Sequence, residues 1–319
     1  MHYLIMRPGA IGDNLLAFPI IQALRAQSKQ PHVTFVGNAA VLPLALELGI
    51  AEEVFDYNSL QWSELFSTTG IHSPTLQGLL QDIDSAICWL RDPEHLVEHN
   101  LRSLGIQQIT IAPGRPPANE RIYIVEYLAR TLHLQWPVLV TEIPGWEMRE
   151  QEMQEQETRA CERRPYQDGR RIAIHPGSGG AYKCWPIACF AALIEALWQN
   201  NISVLLLAGP ADAERMVELR SQLPAPPSAP LLSTLVDAPL LSIARQLQHC
   251  TGYIGNDSGI THLAALLATP TIVLFGPSDP AIWRPFGNTT KVIYEPVLAN
   301  LSIQTVISNI EEFLGIFLY

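Results

Sequence analysis

The stretch 253–280, YIGNDSGITHLAALLATPTIVLFGPSDP, leaves this chain few ways to fold. A short apolar strand ending at Ile254 runs into a polar turn, Gly255-Asn256-Asp257-Ser258-Gly259. Small and apolar residues from His262 to Leu267 then read as a helix, Thr271 to Phe275 as a β-branched strand, and Gly276-Pro277 as a stop. Strand, turn, helix and strand in this order belong to a parallel, helix-covered sheet. A Gly-flanked turn that opens a helix also gathers unpaired backbone N–H groups and the positive end of the helix dipole at one point. That makes it an anion site suited to phosphate. Asp257 or Ser258 can cap the helix, and His262, one turn further on, can face the same point. Read locally, the same residues also describe a capped helix in any α/β sheet.

The rest of the chain repeats this alternation. Strands are expected over 3–6, 32–36, 54–57, 86–90 and 108–112, and helices over 14–27, 39–48, 93–104 and 122–132. Residues 61–80 read as a loop with one or two short helices, and Pro19 is expected to shorten or kink the first helix. A second series has strands over 171–174, 203–208 and 291–294 and helices over 188–198, 211–222, 240–248 and 302–317, with a Pro-rich loop at 223–230. Between the two series lies a polar, charged run, 147–168, with no apolar stripe. It reads as a linker helix or exposed segment with a boundary near Tyr166, dividing the chain into residues 1–165 and 166–319. The ending FLGIFLY is too short to span a bilayer and is expected to pack on the body.

Composition removes several classes of function. With 48% hydrophobic and 16% charged residues in 319, the chain has a large core and is not disordered. A formal net charge of −11 gives no general pull toward nucleic acid, so a polyanionic ligand has to be held by a local site. No apolar run approaches the roughly 20 residues of a membrane span, and MHYLIMRPGAIGD has neither the apolar core nor the cleavage site of a secretory signal. The five cysteines, Cys88, Cys161, Cys184, Cys189 and Cys250, show no metal-ligand spacing, and a reduced cytoplasm is the expected location. Asp82-Ile83-Asp84 matches the DxD pattern that holds a divalent metal in some transferases. Two carboxylates leading into a strand read more simply as a solvated turn.

Two further loops carry chemistry. Arg7-Pro8-Gly9-Ala10-Ile11-Gly12-Asp13 follows the first strand, so it lies at a carboxyl edge, where open α/β sheets place their ligands. Its glycines let backbone approach a ligand or the neighbouring domain. Asp13 is either the N-cap of the next helix or a carboxylate at the mouth of a cleft. In the second series, Gly177, Ser178, Gly179 and Gly180 can turn several N–H groups toward one anion, and Lys183 adds a full positive charge. No GK[ST] ends this loop and no GxSxG frames Ser178, so neither a Walker loop nor a serine nucleophile is assigned. A flexible surface loop with a solvated lysine is the simpler alternative.

Four stretches taken together, RPGAIGDNLLAFPIIQALR (7–25), IHPGSGGAYKCWPIACFAALI (174–194), LAGPADAE (207–214) and IGNDSGITHLAALLATPTIVLFGPSDPAIWRPFG (254–287), resemble glycosyltransferase family 9, the ADP-heptose:lipopolysaccharide heptosyltransferases. The resemblance implies an α/β chain of the GT-B fold, two facing Rossmann-like domains with the acceptor on the first and the nucleotide-sugar on the second. It implies Asp13 as catalytic base and Lys183 as the group that neutralises the departing diphosphate. Donor contacts are implied for Gly12, Gly177, Ser178, Gly179, Lys183, Asn256, Asp257, Ser258, Gly259 and His262, with Asp257 on the sugar. The expected function is inverting, metal-independent transfer of a sugar, heptose by resemblance, from an ADP-sugar to a lipopolysaccharide core or other glycan. No cofactor and no nucleic-acid partner are expected. A lipid-linked acceptor would bring the protein to the periphery of the inner membrane.

One carboxylate to take the acceptor's proton and fixed positive charge for the leaving diphosphate are what this chemistry requires. The acceptor side is less legible. Residues 61–80 and 114–120 carry no family signature, and Arg7, Arg115 and Arg121 are the only basic candidates there, the last two read as solvated surface residues. A non-catalytic nucleotide-sugar-binding protein of the same fold is therefore the alternative reading. A sugar-nucleotide epimerase of related two-domain fold is the third.

Overall fold

The computed structural model describes residues 1–137, 169–228 and 231–318. Before the undescribed stretch the strands are β1 (His2–Met6), β2 (His32–Gly37), β3 (Glu53–Asp56), β4 (Ser85–Cys88) and β5 (Gln108–Ile111). The helices there are α1 (Ile11–Leu15), α2 (Phe18–Ala26), α3 (Leu42–Glu47), α4 (Pro74–Leu80), α5 (Leu96–Ser103) and α6 (Ile124–Thr131). After it come β6 (Arg171–His175), β7 (Ser203–Ala208), β8 (Leu232–Val236), β9 (Gly252–Asn256), β10 (Thr271–Phe275) and β11 (Thr290–Tyr294). Their helices are α7 (Ile187–Gln199), α8 (Ala213–Gln222), α9 (Leu240–Gln248), α10 (Gly259–Leu266), α11 (Pro280–Trp283) and α12 (Ile303–Leu314).

Two sheets result, ordered β3-β2-β1-β4-β5 and β11-β10-β9-β6-β7-β8. Every pairing is parallel. In each sheet a central strand is followed by a reversal of strand order, which leaves a crevice at the carboxyl end. For β1 the neighbours are β2 and β4, and for β6 they are β7 and β9. The loops after β1, β6 and β9 are the three picked out from sequence. Helices lie against both faces, so central strands such as β7 and β10 are buried along their whole length, as parallel sheets require.

Two apolar clusters are confined to one sheet each. Leu4, Met6, Val36 and Trp62 belong to the first, and Ile174, Leu206, Phe190 and Trp185 to the second. A third runs without a break from Tyr3, Ile5, Phe18 and Phe35 to Leu205, Tyr253, Ala264 and Leu263, so the two sheets share part of their core.

Several expectations are corrected. The helix expected over 14–27 is two helices, α1 and α2, because Pro19 sits in the first turn of the second and cannot continue the first. The strand β8 was absent from the sequence reading; it is an edge strand with only half-buried alternation, which weakens the apolar signal. Residues 283–287, read as loop, begin at the end of the short helix α11. The expected linker over 147–168, with its boundary near Tyr166, lies outside the described residues. At the C-terminus, Gly315 ends α12 in the left-handed region and Ile316 is fully buried against the body, while Phe317 beside it is exposed. Among the described residues no helix is long and apolar enough to cross a membrane.

Phe190 is fully buried and meets Trp185 edge-on at 5.1 Å between ring centroids. Truncation there leaves a void that the sheet cannot collapse into. Phe190→Ala is expected to cost about 3–5 kcal/mol, read as a fall in the urea midpoint with an unchanged slope.

Candidate functional site

β1 ends at Met6, and the chain turns through Gly9 (φ +138°) into α1. Asp13 lies in the first turn of this helix and is not its N-cap; Ala10 holds that position, and its N–H donates to Asp13 Oδ2 at 3.1 Å. Beneath it, the Arg7 guanidinium is 2% exposed; its Nε donates to the Asp13 carbonyl at 3.1 Å and its Nη2 lies 3.6 Å from Oδ1. That Nη2 has no hydrogen-bond partner. Burial pulls the Arg7 guanidinium below its ordinary value; Asp13 opposes this and Arg115 adds to it. Arg115 Nη2 approaches the other Asp13 oxygen at 3.7 Å and stacks over Trp283 at 5.4 Å. Arg115 is a surface residue as expected, 70% exposed, and so is Arg121, 73% exposed, which pairs with Asp279 of the other sheet's half. Gly114 could not have been recognised from sequence. A Cβ there would overlap Arg7 Nη1, so a glycine is needed to seat the buried guanidinium.

The opposite wall is built from the loops after β6 and β9. Ser258, not Asp257, caps α10, accepting from the Thr261 N–H at 3.4 Å. The amides of Gly259 and Ile260 then stand at the open, positive end of the helix. Asp257 is left facing Lys183, whose Nζ is 3.1 Å from Oδ2. Ser178 Oγ donates to the Asp257 carbonyl at 2.6 Å, fastening one Gly-rich loop to the other. Gly179 has open space beside it, whereas a Cβ at Gly177 would overlap the Asp212 carboxylate.

Asn256, expected as a donor contact, is placed by the structure behind the loop. It is wholly buried, its Oδ1 accepts from Trp185 N–H at 2.9 Å, and its amide nitrogen donates to the carbonyls of Pro176 (2.8 Å) and Gly177 (3.2 Å). With both ends of its amide engaged it shapes the loop and has nothing to offer a ligand. His175 and Asp212 were also missed. His175 lies 2.9 Å from Asp212 Oδ2 through Nε2 and 3.1 Å from Ser258 Oγ through Nδ1. Burial pushes the Asp212 carboxyl up, but hydrogen bonds from His175 and Gly209 and the nearby Arg215 more than offset this and leave it below the usual range. The chain Asp212–His175–Ser258 locks the helix cap to the loop after β6. The bonds that would have marked it join residues 37 and 83 positions apart, a separation no local pattern reports.

The two walls touch where α1 meets α10. A Cβ at Gly12 would lie 2.8 Å from His262 Cδ2, and one at Gly259 would lie 2.8 Å from Ile11 Cβ. His262 is 7% exposed, its Nε2 is 3.8 Å from Asp257 Oδ1, and its Nδ1 has no hydrogen-bond partner. It feels Asp257, Asp13 and Lys183 at once, so the structure gathers three other predicted residues around this imidazole. The arrangement offers a carboxylate from one half, and a lysine, a helix N-terminus and a second carboxylate from the other.

A family model described as glycosyltransferase family 9 (heptosyltransferase) matches residues 124–310, more than half of the chain. Asp13 lies before that match. A lipopolysaccharide heptosyltransferase 3 of Escherichia coli is 34% identical over 119 residues, 37% of this chain and 34% of that relative's length. The match therefore spans about a third of this curated relative. Among solved structures, E. coli ADP-heptose LPS heptosyltransferase II superimposes with a TM-score of 0.79 at 21% identity, covering 99% of both chains. A glycosyl transferase family 9 protein from Veillonella parvula DSM 2008 gives 0.74 at 18% identity over 98% of this chain and 97% of that one. At these identities the likeness is one of fold, and it fits the expected GT-B architecture.

Burial holds the His262 imidazole below its ordinary value, against the pull of Asp257 and Asp13 and with a push from Lys183. The unfolded chain takes up that proton near pH 6.5, where the folded chain still resists it. Stability contributed by the neutral ring is therefore lost as pH falls through about 6.5. The urea midpoint of the wild type should drop more between pH 7.5 and 5.5 than that of His262→Gln. Equal drops would assign the acid sensitivity to other groups.

Proposed function

The chain belongs to glycosyltransferase family 9, and on that premise we propose that it transfers heptose from ADP-heptose to a lipopolysaccharide core or related glycan. One observation carries the reading: Asp13 from the first half stands across from Lys183, Asp257, His262 and the N-terminus of α10 in the second. The match to named lipopolysaccharide heptosyltransferases supports the choice of sugar and acceptor.

In this mechanism an acceptor hydroxyl binds against α1 and gives its proton to the Asp13 carboxylate as its oxygen attacks the anomeric carbon. The bond from that carbon to the β-phosphate oxygen breaks, and the electron pair leaves with ADP. Lys183 and the amides of Gly259 and Ile260 face the charge that develops on the diphosphate. A diphosphate competes with Asp257 for Lys183, which frees the Asp257 carboxylate to accept hydrogen bonds from sugar hydroxyls. His262, neutral because it is buried, supplies a ring nitrogen as a hydrogen-bonding group and adds no charge. With one carboxylate and attack from the face opposite the leaving group, the anomeric configuration inverts. Because lysine and amides take the diphosphate charge, the step needs no metal.

Purified protein incubated with ADP-heptose and a core acceptor should release ADP and lengthen the acceptor, with a rate indifferent to added Mg²⁺. Asp13→Asn should lower turnover by roughly 10²–10⁴-fold, the range expected for a general base, with ADP affinity preserved. Lys183→Ala should weaken both ADP binding and turnover. Near-normal turnover in both variants overturns the assigned roles. Tight ADP-heptose binding with no transfer to any acceptor would instead mark a binding protein of this fold.

A further inference from the structure

At the amino-terminal ends of β1, β2 and β3, roughly 16 Å from Arg7 at ~3.3 Å per residue, lies a cluster unconnected with the donor loops. His2 and His32 are register partners on adjacent strands, and Thr34 and Glu53 are partners on the next pair. The two imidazoles meet edge to face at 4.3 Å between centroids. One ligand atom each from His2, His32 and Glu53 lie within 4.8 Å of one another. These three residues, with Asp82 and with Thr75, Gly78 and Leu79 of α4, line a cavity of about 540 Å³.

His2 Nε2 lies 2.8 Å from Thr34 Oγ1. Thr34 is fully buried, and its single hydroxyl proton goes to Glu53 Oε2 at 3.0 Å. An imidazole, a buried hydroxyl and a carboxylate thus stand in a row across three strands, and His32 adds a second imidazole.

We propose that His2, His32 and Glu53 form a binding site for a transition-metal dication of the zinc class, which ties the amino-terminal ends of β1, β2 and β3 together. Two imidazoles and a carboxylate suit Zn²⁺, Co²⁺ or Ni²⁺ over Mg²⁺ or Ca²⁺. Ligand bonds of about 2.0–2.2 Å require the three donor atoms to draw closer than they now stand. Side-chain rotation at the rim of the cavity, where Glu53 is exposed and both histidines are half-buried, provides this without moving a strand. Water or Asp82, from the DxD pattern, completes the shell. The ion bridges strands, so its role is structural.

The test titrates metal-stripped protein with ZnCl₂ and, separately, MgCl₂, following heat and melting temperature. The variants are His32→Ala, Glu53→Gln and the control Cys184→Ser/Cys189→Ser. Wild type and the cysteine control should bind one equivalent of Zn²⁺ and melt higher with it, with no response to Mg²⁺. Each ligand variant, whose folding is checked by its melt without metal, should lose more than tenfold in Zn²⁺ affinity and lose the melting shift. Absence of saturable uptake by wild type, or unchanged uptake by His32→Ala and Glu53→Gln, overturns the site. Neither result bears on the donor loops, because His2, His32 and Glu53 lie at the opposite end of their strands from them.

Discussion

The close approach of α1 to α10 is the constraint from which the rest of the architecture follows. Two helix starts can come this near only because Gly12 and Gly259 have no side chains; Gly12 lies against His262, and Gly259 against Ile11. Any larger residue at either place would push the sheets apart by the thickness of a methyl group. Asp13, one residue past Gly12, owes its position facing Lys183 and Asp257 to that contact. The shared core of Tyr3, Ile5, Tyr253 and Leu263 holds the approach in place. Exposed ion pairs such as Arg121–Asp279 contribute orientation and little energy.

Behind the residues that face the seam is a layer that holds them. Arg7 lies under Asp13, and Asn256 pins the loop carbonyls of Pro176 and Gly177. Arg215 donates to the Pro176 and Trp185 carbonyls from the far side. The Asp212–His175–Ser258 chain fixes the cap of α10 to the Gly-rich turn. Each is buried or half-buried with its polar atoms paired, and such networks rigidify a site when their members are satisfied. The exceptions are Arg7 Nη2 and His262 Nδ1, both buried and without a hydrogen-bond partner. They lie on either side of the α1–α10 contact.

What could be read in advance follows a physical division. Strand and helix alternation is local and periodic, so the parallel sheets and the three ligand-edge loops were legible, as was the use of glycine for close approach. The break between α1 and α2 was half legible, because Pro19 forbids continuation but does not say where the first helix stops. β8 escaped because an edge strand buries only part of one face. Side-chain partnerships escaped more completely. Asn256 occupies a turn rich in ligand-type residues, and only the fold shows that its amide is turned inward. The same turn offered Asp257 and Ser258 equally as caps, and the choice is made by His175 and Lys183, 83 and 74 residues away.

That last choice has a consequence for how an anion is received. Ser258 takes the cap, so Asp257 is free to neutralise Lys183. A buried or half-buried cation without a partner would cost far more than the pair does. The internal carboxylate therefore lets the protein keep Lys183 beside the helix N-terminus when no phosphate is present. Under the proposed function, an arriving diphosphate would bring two features that Asp257 lacks: more charge, and oxygens that can reach the amides of Gly259 and Ile260 together with the lysine. Exchange of one anionic partner for another avoids desolvating a bare ammonium at any stage. It also leaves Asp257 with an open hydrogen-bonding capacity beside the position the ligand has just taken. Under the proposed mechanism the order of events, phosphate first and sugar contact second, is set by Ser258 rather than Asp257 capping the helix.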